Sequence, residues 1–226
     1  MKKFRFAIAH AHKLFVCISL FIALLSCNLF GEILYTLTDL AAGHNGTSIA
    51  YSINNDGIAV GAFNSIACKF DNGLFILGTL EGYTKSFAYS INNSGQIVGW
   101  VETTSANRKA ANFSTAVPQF ISTAKYSIAI GISDSGRIVG ISNGSSNYQA
   151  YDFTVEQSLG SLGGTNSWAL GINSSGIVVG AAQDVNGIYK PTKFDTSNIA
   201  LSEKTGWAYA INNNADADIV GAIHDE

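Results

Sequence analysis

The stretch Ser86-Phe87-Ala88-Tyr89-Ser90-Ile91-Asn92-Asn93-Ser94-Gly95-Gln96-Ile97-Val98-Gly99 recurs along the chain, at residues 48–61, 127–140 and 167–180, with a looser fifth copy at 206–221. The isoleucine that precedes each polar turn (Ile53, Ile91, Ile132, Ile172, Ile211) is spaced by 38, 41, 40 and 39 residues. A steady period near 40 residues marks a solenoid, a propeller or an array of supersecondary units. Within each copy large and small side chains alternate, with Phe87, Tyr89 and Ile91 against Ser86, Ala88 and Ser90. Period two specifies a strand. Neither face carries charge, so both faces are expected to be covered, the small one by close approach of a neighbouring sheet.

A polar tetrapeptide ending in glycine follows, as in Asn54-Asn55-Asp56-Gly57 and Asn92-Asn93-Ser94-Gly95. It suits a type I turn closed by a left-handed glycine, a common hairpin connection. These turns lack the carboxylate density of a calcium loop. The longer fifth loop, Asn212 to Asp218, holds two acids and is read as a solvated turn. The second strand ends in Val-Gly (Val98-Gly99, Val139-Gly140, Val179-Gly180, Val220-Gly221). The third carries Ala-x-x-Phe (Ala67 with Phe70, Ala110 with Phe113, Ala150 with Phe153), with Pro191 and Phe194 in the fourth copy. A proline there points to an edge strand or a first strand residue. The fourth strand is clearest in Leu74 to Leu80.

Four strands per repeat is the content of a propeller blade. The fold expected is all-β: a five-bladed propeller over residues 33–226, closed by an N-terminal strand, Ile33 to Leu40, in the last blade. An open β-solenoid is the alternative, and a fragment of a longer array is another reading of a chain that stops mid-unit.

The pattern A-x-x-I-N-x-x-G-x-V-V-G, a short aromatic strand and then L-G-T-L-G-G resembles the HAF repeats of bacterial extracellular proteins. The segment from Leu159 to Gly180 is a close match. The name-giving His-Ala-Phe triplet is degenerate here, its places taken by Ile66-Ala67-Cys68, Lys109-Ala110-Ala111, Gln149-Ala150-Tyr151 and Lys190-Pro191-Thr192. The resemblance implies export and a propeller-like fold, with no settled activity.

Export is also read from the N-terminus. Lys2, Lys3, Arg5 and Lys13 precede the apolar run Leu14 to Leu25, the layout of a signal peptide over residues 1–27. The run falls short of the roughly 20 residues a membrane span needs. Leu24-Leu25-Ser26-Cys27 resembles a lipobox, which makes Cys27 a lipidation candidate; plain secretion is the other reading. Contact with a membrane is then expected only through the signal or a lipid anchor, and the protein lies outside a bacterial cell or on its outer surface.

Of the 13 basic residues, 4 lie in the first thirteen positions, leaving 9 against 16 acids, a net charge of −7 for the remainder. No basic stripe is available for phosphates, so nucleic acid is not an expected partner. Cys68 is the single body cysteine, which excludes a disulfide framework; between apolar neighbours it reads as a buried small hydrophobe. His44 and His224 are the only body histidines. They carry no catalytic or metal assignment, and no cofactor is expected.

The acids Asp56, Asp71, Asp134, Asp152 and Asp195 fall at turns and strand ends. The function read from the sequence is a monomeric, non-enzymatic scaffold that binds a glycan or protein through the loops between strands two and three (Phe63 to Ser65, Val101 to Arg108, Ser142 to Asn147, Gln183 to Ile188), because variable loops on a fixed frame carry recognition. Trp100, after Val98-Gly99, is read as an exposed ligand contact, while Trp168 and Trp207 are read as core. The alternative is a propeller-type carbohydrate-active enzyme, which would need carboxylates converging on the axis.

Overall fold

A computed structural model describes residues 37–143 and 147–224. The expected signal segment, Cys27 and residues 33–36 lie outside the described residues. The fold is all-β, and each repeat is one antiparallel sheet in chain order. The first sheet is β1 (Ser48–Ile53), β2 (Ala59–Phe63), β3 (Ile66–Phe70) and β4 (Leu74–Gly78). The second is β5 (Lys85–Ile91), β6 (Ile97–Glu102), β7 (Arg108–Asn112) and β8 (Gln119–Phe120). The third is β9 (Tyr126–Ile132), β10 (Ile138–Asn143), β11 (Gln149–Asp152) and β12 (Gln157–Gly160). The fourth is β13 (Gly163–Ile172), β14 (Val178–Asp184), β15 (Tyr189–Phe194) and β16 (Ile199–Ala200). The fifth holds β17 (Gly206–Ile211) and β18 (Ile219–Ile223) alone.

The turns form as their residues dictate. Gly57, Gly95, Gly136 and Gly176 have φ of 79, 77, 83 and 80°, the left-handed region that glycine enters without steric cost. The first asparagine of the turn completes it: Asn92 Oδ1 accepts from the N–H groups of Ser94 and Gln96. Its Nδ2 donates to the carbonyl of Ser133 in the next repeat at 3.0 Å. Asn54 and Asn173 reach Asn92 and Asn212 in the same way. The turn residues thus stitch successive repeats as well as closing hairpins.

Every first strand contains a β-bulge opposite the Val-Gly step. Register shifts fall between Ala50 and Ser52, Ala88 and Ser90, Ala129 and Gly131, Ala169 and Gly171, and Ala208 and Ala210. The bulge drives a backbone carbonyl into the space where a side chain would begin. A Cβ placed on Gly99 would collide with the Phe87 carbonyl oxygen, and Gly61, Gly140, Gly180 and Gly221 meet Ile49, Ile128, Trp168 and Trp207 in the same way. That collision explains the Val-Gly signature.

The core lies between sheets. Val60 and Ala67 of the first pack against Ala88, Ile91 and Phe113 of the second. Val98 and Ala110 pack against Ala129, Ile132 and Phe153, and Val139 and Ala150 against Ala169, Val178 and Phe194. The small face of strand one permits this approach, since Ser86, Ala88, Ser127, Ala129, Ser167 and Ala169 are fully buried. Cys68 is fully buried beside Phe70, and burial pushes its thiol up to about 12.

The innermost strands pack in succession, β1 on β5, β5 on β9, β9 on β13 and β13 on β17. Their turns converge on one cavity of about 150 Å³ lined by Asn54, Asn92, Ser133, Asn173 and Asn213, among others. The five repeats therefore fan around a common axis. Among the described residues no contact closes the succession: Ile53 is 49% exposed where its counterpart Ile91 is 6% exposed, and Val220 is 62% exposed where Val98 is fully buried. Residues 37–39 are irregular and 40–43 form a turn, so the described part of the expected closing strand is not extended into a sheet.

Pro191 corrects another expectation. It lies inside β15, paired to Ala181 of β14, and β15 also pairs with β16, so it is neither an edge nor a first residue. It is tolerated because its counterparts Ala67, Ala110 and Ala150 send their N–H groups out of the sheet to the hydroxyls of Ser86, Ser127 and Ser167 in the next repeat. The fourth repeat has no such N–H, and the fifth has Gly206 where the serine would stand.

Candidate binding surface

The ends of β2, β6, β10, β14 and β18, and the starts of the third strands that follow the first four, lie on the side away from the axial cavity. One pair of rings from each repeat gathers there. They are His44 with Phe63 (centroids 6.0 Å apart), Phe87 with Trp100 (4.2 Å), Tyr126 with Tyr148 (5.1 Å), Trp168 with Tyr189 (5.3 Å) and Trp207 with His224 (5.8 Å). Tyr189 also stacks on Trp207 at 6.0 Å, joining two repeats. Trp168 and Trp207 are half-buried members of this row and not closed core.

Trp100 departs from its expected role. It is 6% exposed, stacked on Phe87 and covered by the Arg108 guanidinium at 4.3 Å from its ring centre. It is thereby the buried floor of this ring cluster and not the exposed ring expected. Arg108 is held by Glu102, whose Oε2 accepts from Nε at 2.7 Å, while Lys85 donates to Oε1 at 2.9 Å. Burial pushes the Glu102 carboxyl up, but the hydrogen bonds from Lys85 and Arg108 outweigh it and hold the group below the usual carboxylate range. The Arg108 guanidinium also lies within electrostatic reach of the Tyr126 phenol, which links the second repeat to the third. The Val101-Glu102 step inside an apolar strand was the available sign of this buried carboxylate, with Lys85 and Arg108 at the ends of the two strands flanking it.

The expected loops divide. Asn64 and Ser65 make a tight turn with φ of 48 and 65°, and Asn64 Oδ1 accepts from Thr47 N–H. Asp184 Oδ1 organises the fourth loop by accepting from Asn186 and Ile188. The third loop is described only at its ends.

The acids do not converge on the axis, although Asp152 and Asp195 line one cavity with Arg137 and Lys193. Asp134 alone reaches the axial cavity, and its carboxylate accepts from the backbone and side chain of Asn93, both at 2.9 Å. Asp56 and Asp195 are exposed at separate turns. Asp152 is buried and bonded to Arg137 Nε at 2.7 Å. Arg137 Nη1 donates to the Gly176 carbonyl, so this pair joins the third repeat to the fourth. His44 and His224 line different cavities. Among the described residues no three His, Cys, Asp or Glu side chains are grouped to hold a metal ion. In the fifth loop the Asp218 carboxylate accepts from the side chains of Asn212 and Asn214, which makes it a self-satisfied turn. No helix among the described residues is long and apolar enough to cross a membrane.

No protein-family model and no curated protein matches this chain.

Proposed function

We propose that the chain is an exported bacterial surface protein of the HAF-repeat kind that acts as a monomeric, non-enzymatic scaffold and binds a glycan or a protein at the ring-lined ends of its repeats. The observation that carries this reading is the recurrence of one ring pair per repeat on a single side. The exposed and half-exposed tyrosine, tryptophan and histidine rings of the row offer a flat apolar face together with hydrogen bonds, the chemistry that sugar rings and peptide surfaces meet. The axis, in contrast, presents asparagine and serine with a single carboxylate that is already bonded, where glycoside hydrolysis takes a pair.

The fold reading that goes with it is a five-bladed ring whose last blade receives Ile33 to Leu40. Two observations support it. Leu40 packs against the cluster that holds Phe70 as Leu80 packs against the one that holds Phe113, so Leu40 stands before the first sheet as the residue that follows an outer strand stands before the second. The turn-to-turn bonds also have matching ends. Asn93 Oδ1 serves Asn55 N–H, and Asn213 Oδ1 serves Ser174 N–H. On closure Asn55 would stand next to Asn213 in the same relation.

A glycan array probed with residues 29–226 tests the function. Binding that falls at least tenfold in a Tyr148→Ala, Trp207→Ala double variant supports it. Binding to no glycan, and to no protein captured through the same rings, sinks it.

A further inference from the structure

We propose that the cleft between the third and fourth sheets, at the end where the hairpin turns lie, binds a small hydroxylated carboxylate of the uronic-acid class. Successive strands run antiparallel in chain order, so this cleft opens at the opposite end of the sheets from the ring row. Its ligand does not rest on that row.

The cleft has a volume of about 520 Å³, the size of a small-molecule pocket. The third repeat lines it with Arg137, Asp152, Gln157 and Ser158, and the fourth with Lys193 and Asp195. Leu159, Ile177 and Phe194 add apolar wall.

The polar part is built on a buried carboxylate. The Asp152 side chain is 3% exposed. Its Oδ1 accepts from the N–H groups of Thr154 and Val155 at 2.9 and 3.4 Å, and its Oδ2 from Arg137 Nε at 2.7 Å. Arg137 Nη1 donates to the Gly176 carbonyl at 2.7 Å. The guanidinium is thus fixed from both repeats while its side chain stays 36% exposed. Among the described residues nothing accepts from Nη2, so part of its planar donor fork is open to a ligand. In the facing repeat, Lys193 Nζ makes no hydrogen bond among the described residues, and its ion-pair partner Asp195 Oδ2 stands 3.8 Å away. Asp195 Oδ1 accepts from Thr196 N–H at 2.7 Å.

The acids are therefore bonded while both cations keep free donors, and the missing partner is an acceptor. A carboxylate answers both cations with charge-assisted hydrogen bonds. The charges of Arg137, Lys193, Asp152 and Asp195 cancel formally, which favours a monoanion read by direction over a highly charged one read by field. Gln157, Ser158 and Thr196 supply the polar groups that the hydroxyls of a sugar acid use.

This set of residues occurs at one junction only. The residue after the turn glycine is Ile58, Gln96, Arg137 and Ile177 in the four complete repeats, and the residue before the third-strand phenylalanine is Lys69, Asn112, Asp152 and Lys193. Gln96, in the place of Arg137, accepts from Asn92 through its side-chain carbonyl. A charged cluster that does not repeat, on turns of a frame that does, marks recognition and not the frame.

The test titrates the full-length chain with glucuronate and galacturonate, read by calorimetry and by backbone amide shifts. The expected result is saturable one-to-one binding of at least one of them, with shifts centred on residues 152–158 and 193–196. Lys193→Gln, which removes no hydrogen bond of the fold, should melt as the parent does and bind about fivefold or more weakly, as loss of a charge-assisted hydrogen bond predicts. Absence of saturable binding by either uronate, or equal binding by the Lys193→Gln chain, overturns the proposal. Equal binding by glucose would show that the carboxylate is not read, and equal binding by acetate that the sugar is not; either overturns it. Uronate binding that disappears in the Tyr148→Ala, Trp207→Ala chain would belong to the ring row and overturn it too, whereas binding retained there stands whatever becomes of the ring-row reading.

Discussion

The backbone N–H of Ala110 donates to the hydroxyl of Ser127 at 3.0 Å, and both residues are fully buried. The bond crosses from the third strand of one repeat to the first strand of the next, and it recurs between Ala67 and Ser86 and between Ala150 and Ser167. The fourth junction has lost donor and acceptor together, with Pro191 facing Gly206. A buried donor without an acceptor costs about 1–3 kcal/mol, whereas removing both partners is close to neutral. Ser127→Ala should therefore destabilise the protein by roughly 1–3 kcal/mol in urea unfolding. Adding Ala110→Pro should recover part of that loss. Strictly additive losses in the double-mutant cycle would show that the bond is not the link between the two positions.

Gly99 faces the Phe87 carbonyl so closely that no side chain fits. Gly99→Ala should cost about 3 kcal/mol or more, because backbone atoms must move to admit the methyl group. Gly95→Ala, at a left-handed turn position open to solvent, should cost only about 1 kcal/mol. Thermal melts of the two variants give the comparison, and a milder effect at Gly99 would contradict the bulge as the origin of the Val-Gly signature.

Glu102 links pH to the ring-lined surface. Its folded-state pKa lies below its unfolded value. The stability it contributes is fully present above the unfolded value of about 4.3 and is lost as pH falls through the folded one. Acidification below about pH 4.3 should release Arg108 from Trp100 and shift the tryptophan emission before global unfolding. Glu102→Gln should remove that early transition and lower stability at neutral pH by about 2 kcal/mol. An unchanged acid transition in the variant would exclude Glu102 as its source.

Deleting residues 33–40 removes Leu40 from its packing with Phe70 and, on the ring reading, the closing strand. A single cooperative unfolding transition at much lower denaturant is expected by circular dichroism. A small loss confined to the first sheet would favour the open arrangement.

The repeat was largely legible because its signals are local. Alternation fixed the strand phase of Ser86 to Ile91, and the polar tetrapeptide fixed the hairpin. The pattern Ala-x-x-Phe also marked the third strand, whose phenylalanines are buried in every sheet that has one. What escaped depends on contacts across repeats. Trp100 looked exposed from its neighbours, but Phe87 of one adjoining strand and Arg108 at the start of the other close over the ring. Pro191 looked like an edge marker because a strand is assumed to use every N–H inside its sheet, and here the N–H at that position points to the next repeat. Asp152 looked like a turn acid, but Arg137, 15 residues away, lies against it.

Cys68 gives the molecule an internal stopwatch. Its thiol lies sealed beside Phe70 and stays protonated to about pH 12, so a thiol reagent at pH 8 reacts only after the first sheet has parted. With Cys17 and Cys27 replaced by serine, the labelling rate of Cys68 reads how often the first sheet opens. A ligand bound at the rings of the later repeats should leave that rate unchanged, whereas one bound across the first sheet should slow it.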